Sequence, residues 1–297
     1  MKYLKITLAM AISLLLMSSC GGNKKQGDQS SEEFSMEDYI KAAEAIDPSL
    51  SKVDQVFSIL DMVNAEYYDV LTNDPYSAHN YKSSYPVAAV NLGIYMTDVI
   101  YHFYGENEET MYLTFQAAQE LAKYVGVESK FAQQTIESLE GQMMDRDSLT
   151  ILFNSLMEDS EKYHSEEERV FVHTAFLTGS FVEKVYITSN LLRQKMGNKE
   201  LTQEQEGDIR ELLVIYLNQL DPSTGILLDA FERQQEQLSG LVITTTFQKL
   251  KELAEHLQSV KSSLAVAPIE ELATNQELIT TYDLITNLRT VLVTAAE

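Results

Sequence analysis

Hydrophobic residues cover nearly every face of one stretch of the chain, residues 85–104, and an amphipathic stretch follows it directly. Wound at 100° per residue, the first stretch has apolar side chains on two opposite faces. Pro86 falls in its first turn, where the missing proline N–H costs nothing. A helix that is apolar on both sides is expected to be surrounded by other helices. One face holds Tyr85, Ala88, Ala89, Leu92, Met96, Val99 and Phe103, and the other holds Val90, Ile94 and Tyr101.

A polar seam interrupts this first central helix. Asn91, Asp98 and His102 lie on one flank, and Tyr101 is beside them. Asp98 and His102 are four residues apart, so both side chains project to the same side and could share a divalent ion. The alternative is structural, because a buried acid is normally paired and a histidine can pack in a core. The seam is the first candidate site.

A second central helix is predicted over residues 165–196. Ser165 and Glu168 form a capping box at its start, and Gly197 follows its end. Its middle, residues 170–192, is again apolar on nearly every face. Two such helices indicate a bundle with two buried members.

Glu183 is the acid of the second central helix and extends the candidate site. It shares a face of small side chains with Gly179 and Tyr186, which would let another helix approach. A basic residue such as Arg289 is a natural partner for it. If Glu183 lay close to Asp98, the two carboxyl groups would perturb each other's proton affinity or bind a cation.

Both central helices have a glycine followed by an acid four or five residues later and then by a tyrosine. This order indicates either a faint internal duplication or a coincidence between two buried helices. The residues are Gly93, Asp98 and Tyr101 in the first helix and Gly179, Glu183 and Tyr186 in the second.

Helical spacing continues through most of the remaining chain. The predicted class is all-α, a bundle of roughly ten antiparallel helices with two central apolar ones. Residues 73–84 are predicted to be a loop, and residues 221–222 a break before a proline. Residues 241–247 are rich in β-branched side chains, but the helical stripe downstream favours a helix. The other predicted helices cover residues 35–46, 51–71, 108–125, 129–143, 147–163, 202–220, 223–239, 241–263 and a final segment after Pro268.

The first nineteen residues read as a lipoprotein signal peptide. Lys2 and Lys5 precede an apolar core at residues 6–16, and small residues lead to Cys20. This core is shorter than the roughly 20 apolar residues of a membrane-spanning helix. We expect Cys20 to become the first residue of the mature chain and to carry the acyl chains that anchor it.

Three segments follow from this interpretation. Residues 1–19 are the signal peptide, residues 20–34 a flexible tether, and residues 35–297 a single helical domain; within the tether, residues 21–33 include no aromatic or β-branched side chain. A two-lobed arrangement divided near residues 197–222 is the alternative. The tether lacks acids directly after Cys20, which favours an outer-membrane protein facing the periplasm over one on the cell surface.

The chain is strongly acidic, with a formal charge of −23 that becomes −25 when Lys2 and Lys5 leave with the signal peptide. Such a surface repels nucleic acid and anionic headgroups, so membrane contact is expected through the lipid alone. Cys20 is the single cysteine, so no internal disulfide can form.

No catalytic motif, cofactor motif or complete metal-binding motif occurs in the sequence. Glu161 and His164 form the single Glu-x-x-His pair, whereas a di-iron bundle needs two. The sixteen tyrosines could line a ligand groove or pack at the edge of a core. The predicted function is a binding or scaffolding module that contacts the membrane through its lipid and meets an envelope protein partner. The alternative is a periplasmic protein that binds a small ligand or divalent metal at the Asp98/His102 seam.

Several of these residues resemble a group of uncharacterised helical lipoproteins from Bacteroidetes-type bacteria. The resemblance covers roughly the middle half of the chain and implies a helical fold and a lipid anchor, with no implied activity. It rests on Asn91-Leu-Gly-Ile-Tyr-x-x-Asp98, Tyr101, Ala118, Leu121, Gly126, Arg146-Asp-Ser-Leu149, Gly179 and Tyr186.

Overall fold

The computed structural model describes residues 60–61, 66–127, 169–197 and 202–294. These residues belong to one compact unit, Ser35–Glu297. They contain seven helices and no β-strand, which confirms the all-helical class. The helices are α1 (Tyr85–Tyr104), α2 (Glu108–Val125), α3 (Val170–Met196), α4 (Gln203–Arg233), α5 (Leu241–Val266), α6 (Ile269–Leu272) and α7 (Gln276–Val293).

Several predicted features lie outside the described residues. They are the signal peptide, Cys20, the tether and the helices predicted over residues 35–46, 129–143 and 147–163. The two-lobed alternative also stays a prediction.

Helix α1 is the centre of the fold. It begins after Ser84, whose hydroxyl accepts a hydrogen bond from the Val87 N–H, and it ends at Gly105. Every residue from Pro86 to His102 is buried. Helices α2 and α3 make the most extensive contacts with it. This burial on all sides confirms the prediction of a surrounded helix.

Two glycines set the distance between α1 and α3. A Cβ atom on Gly93 would lie 2.1 Å from the carbonyl oxygen of Phe176, and one on Gly179 would lie 1.8 Å from the carbonyl oxygen of Val90. Neither position has room for a side chain. The Ser180 hydroxyl donates a hydrogen bond to the Gly93 carbonyl at 3.2 Å. The two backbones therefore touch where the helices cross.

The predicted break at residues 221–222 is wrong. Helix α4 passes through Pro222 without interruption. Its buried face continues on both sides of the proline, with Leu220 before it and Thr224 and Leu227 after it. The carbonyl that loses its N–H partner to the proline belongs to Asn218, an exposed residue that water can reach. Burial of the apolar face thus outweighs the local cost of proline.

The start of the second central helix also differs from the prediction. Helix α3 begins at Val170, with Arg169 preceding it, rather than at residue 165. Ser165 and Glu168, the predicted capping box, lie outside the described residues.

Residues 66–71 are not part of an α-helix, although the sequence predicted one up to residue 71. Tyr68 is extended, and a short 3-10 turn, Asp69–Leu71, follows it. A second 3-10 segment, Pro75–Tyr81, occupies most of the predicted loop. We call residues 66–84 the strap. Tertiary hydrogen bonds to α1, described below, replace the local helical ones.

The last two long helices agree with the prediction. Residues 241–247 are helical as the first turns of α5, despite their β-branched side chains. Helix α7 buries the predicted apolar stripe, which consists of Leu278, Tyr282, Ile285, Leu288 and Leu292.

None of the described helices is both long and apolar enough to cross a membrane.

Replacing Gly179 by alanine is expected to destabilise the protein, because the new methyl group overlaps the Val90 carbonyl. The expected loss in the free energy of unfolding is about 1–3 kcal/mol. Gly225→Ala is the matched control, since a Cβ at that helical glycine meets nothing within 4 Å. The control should gain about 0.5–1 kcal/mol from helix propensity. Urea denaturation of both variants decides the matter, and equal effects would refute the close crossing.

Candidate functional site at the polar seam

The polar seam of α1 faces the strap and the C-terminal end of α7. Five of its side chains, spaced over three helical turns, each form a hydrogen bond with one of these two neighbours. They are Asn91, Tyr95, Asp98, Tyr101 and His102.

Asn91 helps to cap α7. The last carbonyl groups of a helix have no partner within it. The Asn91 amide donates to the Leu292 carbonyl at 3.2 Å and to Val87 in its own helix at 3.1 Å. The Tyr81 hydroxyl, from the strap, donates to the Val293 carbonyl at 2.8 Å. The end of α7 is therefore closed jointly by α1 and the strap.

Two tyrosines of α1 hold the backbone of the strap. The Tyr95 hydroxyl donates to the Asp74 carbonyl at 2.7 Å. The Tyr101 hydroxyl accepts from the Tyr68 N–H at 2.9 Å. Burial raises the pKa of Tyr101 to about 12 and that of Tyr95 still further, so both hydroxyl groups are neutral. These tyrosines serve as structural ties.

Asp98 occupies the middle of the seam and is completely buried. Its Oδ2 atom accepts from the backbone N–H of Asn73 at 3.0 Å. Burial raises the pKa of Asp98 well above its ordinary value, and the neighbouring Glu183 carboxylate raises it further. Arg289 and the Asn73 N–H act in the opposite direction without cancelling the rise. The structure thus brings Asp98 and Glu183, from different helices, into one cluster.

Glu183 is paired with Arg289, the partner that the sequence suggested. The guanidinium donates to both carboxylate oxygens, through Nε at 2.7 Å and Nη2 at 2.8 Å. Nη2 also lies 3.4 Å from the Leu71 carbonyl of the strap, and the guanidinium stacks 4.4 Å above the Tyr186 ring. Burial lowers the pKa of Arg289, but the charge and hydrogen bonds of Glu183, together with Asp98 and Tyr186, raise it by more, so the cation persists.

His102 turns to the strap rather than to Asp98. Its Nδ1 atom lies 2.7 Å from the Tyr67 hydroxyl, which also accepts from the Asn107 amide at 3.1 Å. The Tyr67 hydroxyl can donate to Nδ1 while it accepts from Asn107. Burial lowers the pKa of His102 to about 4, which keeps the ring neutral.

The cation site that the sequence suggested at Asp98 and His102 stays a prediction, since the hydrogen bonds of the two side chains go to different partners. Across the described residues, no three histidine, cysteine or acidic side chains are placed to hold a metal ion. Asp98 meets a carboxylate and an arginine, while His102 meets a tyrosine. The arrangement can hold protons and structural hydrogen bonds.

The strap residues that complete the cluster were not found from the sequence. Leu71 and Asn73 contribute a backbone carbonyl and a backbone N–H, groups that every residue offers and that leave no mark in the sequence. Tyr81 gave a weaker signal as one of many tyrosines near α1. A loop that overlies a polar helix face was the available clue.

Comparisons with protein-family models, with curated proteins and with solved structures gave no match to this chain.

Removing the cation from the buried pair should destabilise the protein strongly. We expect Arg289→Met to cost about 3–5 kcal/mol in the free energy of unfolding, because it leaves a buried carboxylate uncompensated. Glu183→Met combined with Arg289→Met should cost less than the sum of the single changes.

Lys261→Met provides the control for that experiment. Lys261 pairs with Asp221 at 3.3 Å, and both side chains are about one third exposed. Its loss should cost no more than about 1 kcal/mol. Denaturant unfolding measures all four variants, and an Arg289→Met effect as small as the control would contradict the assigned role.

Proposed function

We propose that this protein is a lipid-anchored, all-helical protein of the cell envelope that acts by binding or scaffolding rather than by catalysis. The observation that carries the proposal is the use made of the polar seam. Its side chains are engaged with the strap and with α7, so they act as internal ties of the fold.

Catalysis at the seam would need a group that reaches a substrate. Glu183 is fully buried, and both of its oxygens are held by Arg289. Asp98 lies beneath Asn73 and is also fully buried. Exposing either carboxyl group would require breaking a bidentate ion pair or lifting the strap. Recognition is therefore assigned to the outer surface.

The location follows from the leader. We assign residues 1–19 as a signal peptide and Cys20 as the lipidated residue, with the chain on the outer membrane and facing the periplasm. The resemblance to helical lipoproteins of Bacteroidetes-type bacteria supports the same assignment. The partner would be another envelope protein, since the net acidity disfavours nucleic acid.

We also propose that the helices predicted over residues 35–46, 129–143 and 147–163 complete an antiparallel bundle of roughly ten helices. Helical spacing in those segments supports this.

The test of the binding role is photo-crosslinking in intact cells. A photoreactive amino acid would replace, one at a time, the large apolar side chains that are exposed. Binding predicts discrete crosslinked species of defined mass at neighbouring positions, with none at the buried control position Leu121. Monomer alone at every position would oppose the role. The exposed positions are Val70, Tyr76, Tyr85, Tyr112, Leu241 and Val266.

Cys20→Ser should abolish lipidation and leave the unprocessed precursor, because the thioether forms before the leader is cleaved. Labelled palmitate would be incorporated by wild type and by the control variant Ser19→Ala, and membrane fractionation would follow the protein. Label on Cys20→Ser would overturn the lipoprotein assignment.

A second candidate function is binding of a small ligand or divalent metal at the seam. Two buried atoms on one flank of α1 favour it, because within the described parts of the chain neither Asp98 Oδ1 nor His102 Nε2 has a hydrogen-bond partner. A proton shared by the buried carboxyl groups is an alternative explanation for the Asp98 atom.

Thermal unfolding separates the two candidates. Under the leading proposal, neither chelator nor added Zn²⁺ changes the melting temperature of wild type, since a ligand stabilises only the state that binds it. A chelator-sensitive wild type, with that sensitivity absent in both Asp98→Asn and His102→Ala, would establish the metal-binding candidate instead.

A further inference from the structure

We propose that the place where α1, α3 and α7 meet is a binding site for a single proton, shared between Asp98 and Glu183, and that loss of this proton loosens the strap. The inference concerns regulation of the fold and does not depend on what the protein binds.

The charges of the buried groups balance when one proton is bound. Two carboxyl groups, Asp98 and Glu183, are fully buried, and one cation, Arg289, faces them. Arg289 uses two of its nitrogens on Glu183. An additional negative charge in this interior would be costly, whereas a protonated Asp98 makes the cluster electrically neutral.

The hydrogen bonds of the buried carboxyl groups also require a proton. Of the two Asp98 oxygens, Oδ2 accepts from Asn73, and Oδ1 has no donor in the described part of the structure. The Glu183 carboxyl lies within hydrogen-bonding reach of Asp98. Two carboxylates cannot hydrogen-bond to each other, whereas one bound proton lets either carboxyl group donate to the other.

The neighbouring groups do not offer a substitute for this proton. After burial itself, Glu183 of α3 and Arg289 of α7 have the strongest effects on the pKa of Asp98. His102, on α1 itself, has a pKa of about 4 and supplies no second cation near neutral pH. Three tyrosines that face the cluster have raised pKa values and stay neutral: Tyr67 and Tyr81 of the strap and Tyr95 of α1. Asp74 of the strap adds negative charge.

The strap is the element that responds. Leu71 accepts from Arg289, and Asn73 donates to Asp98, so the strap backbone is bonded directly to the cluster. Between them runs non-helical chain, which can be lifted without unwinding a helix. Ionisation of Asp98 would place like charges together and draw water inward. Displacing residues 71–74 is the shortest way to admit that water.

The sign of the pH dependence follows from linkage. Asp98 binds its proton more tightly in the folded protein than in the unfolded chain. The stability that this proton contributes is therefore fully present below the pKa of Asp98 in the unfolded chain, about 4. It is lost as pH rises through the pKa of Asp98 in the folded protein. In that window, the unfolding equilibrium constant of wild type should rise about tenfold per pH unit relative to a variant that cannot ionise there.

Asp98→Asn is that variant, because its amide keeps the shape, donates to Glu183 and accepts from Asn73. We expect the ratio of the wild-type to the Asp98→Asn unfolding constant to rise about tenfold per unit as pH rises above about 5, until Asp98 ionises in the folded protein. Asp229→Asn, at an exposed position of α4, controls for the loss of one negative charge. The measurement uses the full chain purified in detergent.

Two further readouts keep the test decisive if Asp98→Asn unfolds. Infrared spectra of wild type at neutral pH should contain a protonated-carboxyl band, and proteolysis within residues 66–84 should accelerate at alkaline pH more than elsewhere. Glu183→Gln should remove the infrared band, because Asp98 then ionises against Arg289. A pH-independent ratio, or a wild-type spectrum without the band, would overturn the proposal.

Discussion

The close approach of α1 and α3 is the constraint on which the other contacts depend. Gly93 and Gly179 let the two backbones touch, and any side chain at either position would force them apart. Asp98 and Glu183 lie about one turn beyond these glycines, so the crossing carries both carboxyl groups to one place. The backbone contact thereby places two carboxyl groups together in the interior, where their like charges would repel each other.

Helix α7 and the strap supply the groups that compensate these two carboxyl groups. Arg289 supplies the positive charge for Glu183, and the Asn73 N–H supplies a donor for Asp98. In return, α1 supplies Asn91 to the open end of α7. Each element therefore satisfies polar groups that another leaves unpaired, as buried polar groups require. The polar groups of the interior are thus used within the fold.

Most of the helical architecture could be predicted from the sequence, for identifiable reasons. The two-sided apolar pattern of residues 85–104 requires burial on all sides, and α1 is buried on all sides. The stripe of α7 likewise matches its buried residues. Pro222 misled the prediction because local proline chemistry is visible in the sequence, whereas the continuous buried face of α4 depends on its neighbours.

The candidate site was predicted in part. Asp98 and Glu183 were recognised as unusual because acids within apolar helices must have partners. Their meeting could not be deduced, since it depends on how two distant helices cross. The strap was beyond sequence reasoning for a different reason. Its ties use backbone atoms of Tyr68, Leu71 and Asn73, and backbone groups are the same in every residue.

Native-state hydrogen exchange of the Asn73 amide tests most directly whether the seam of α1 holds the strap. This N–H donates to buried Asp98, so at a pH where Asp98 holds its proton it should be released only by an opening that also frees the core of α1. The account predicts an exchange free energy for Asn73 similar to those of amides in the middle of α1. Exchange of Asn73 at the rate of an exposed loop amide, with α1 still protected, would contradict it.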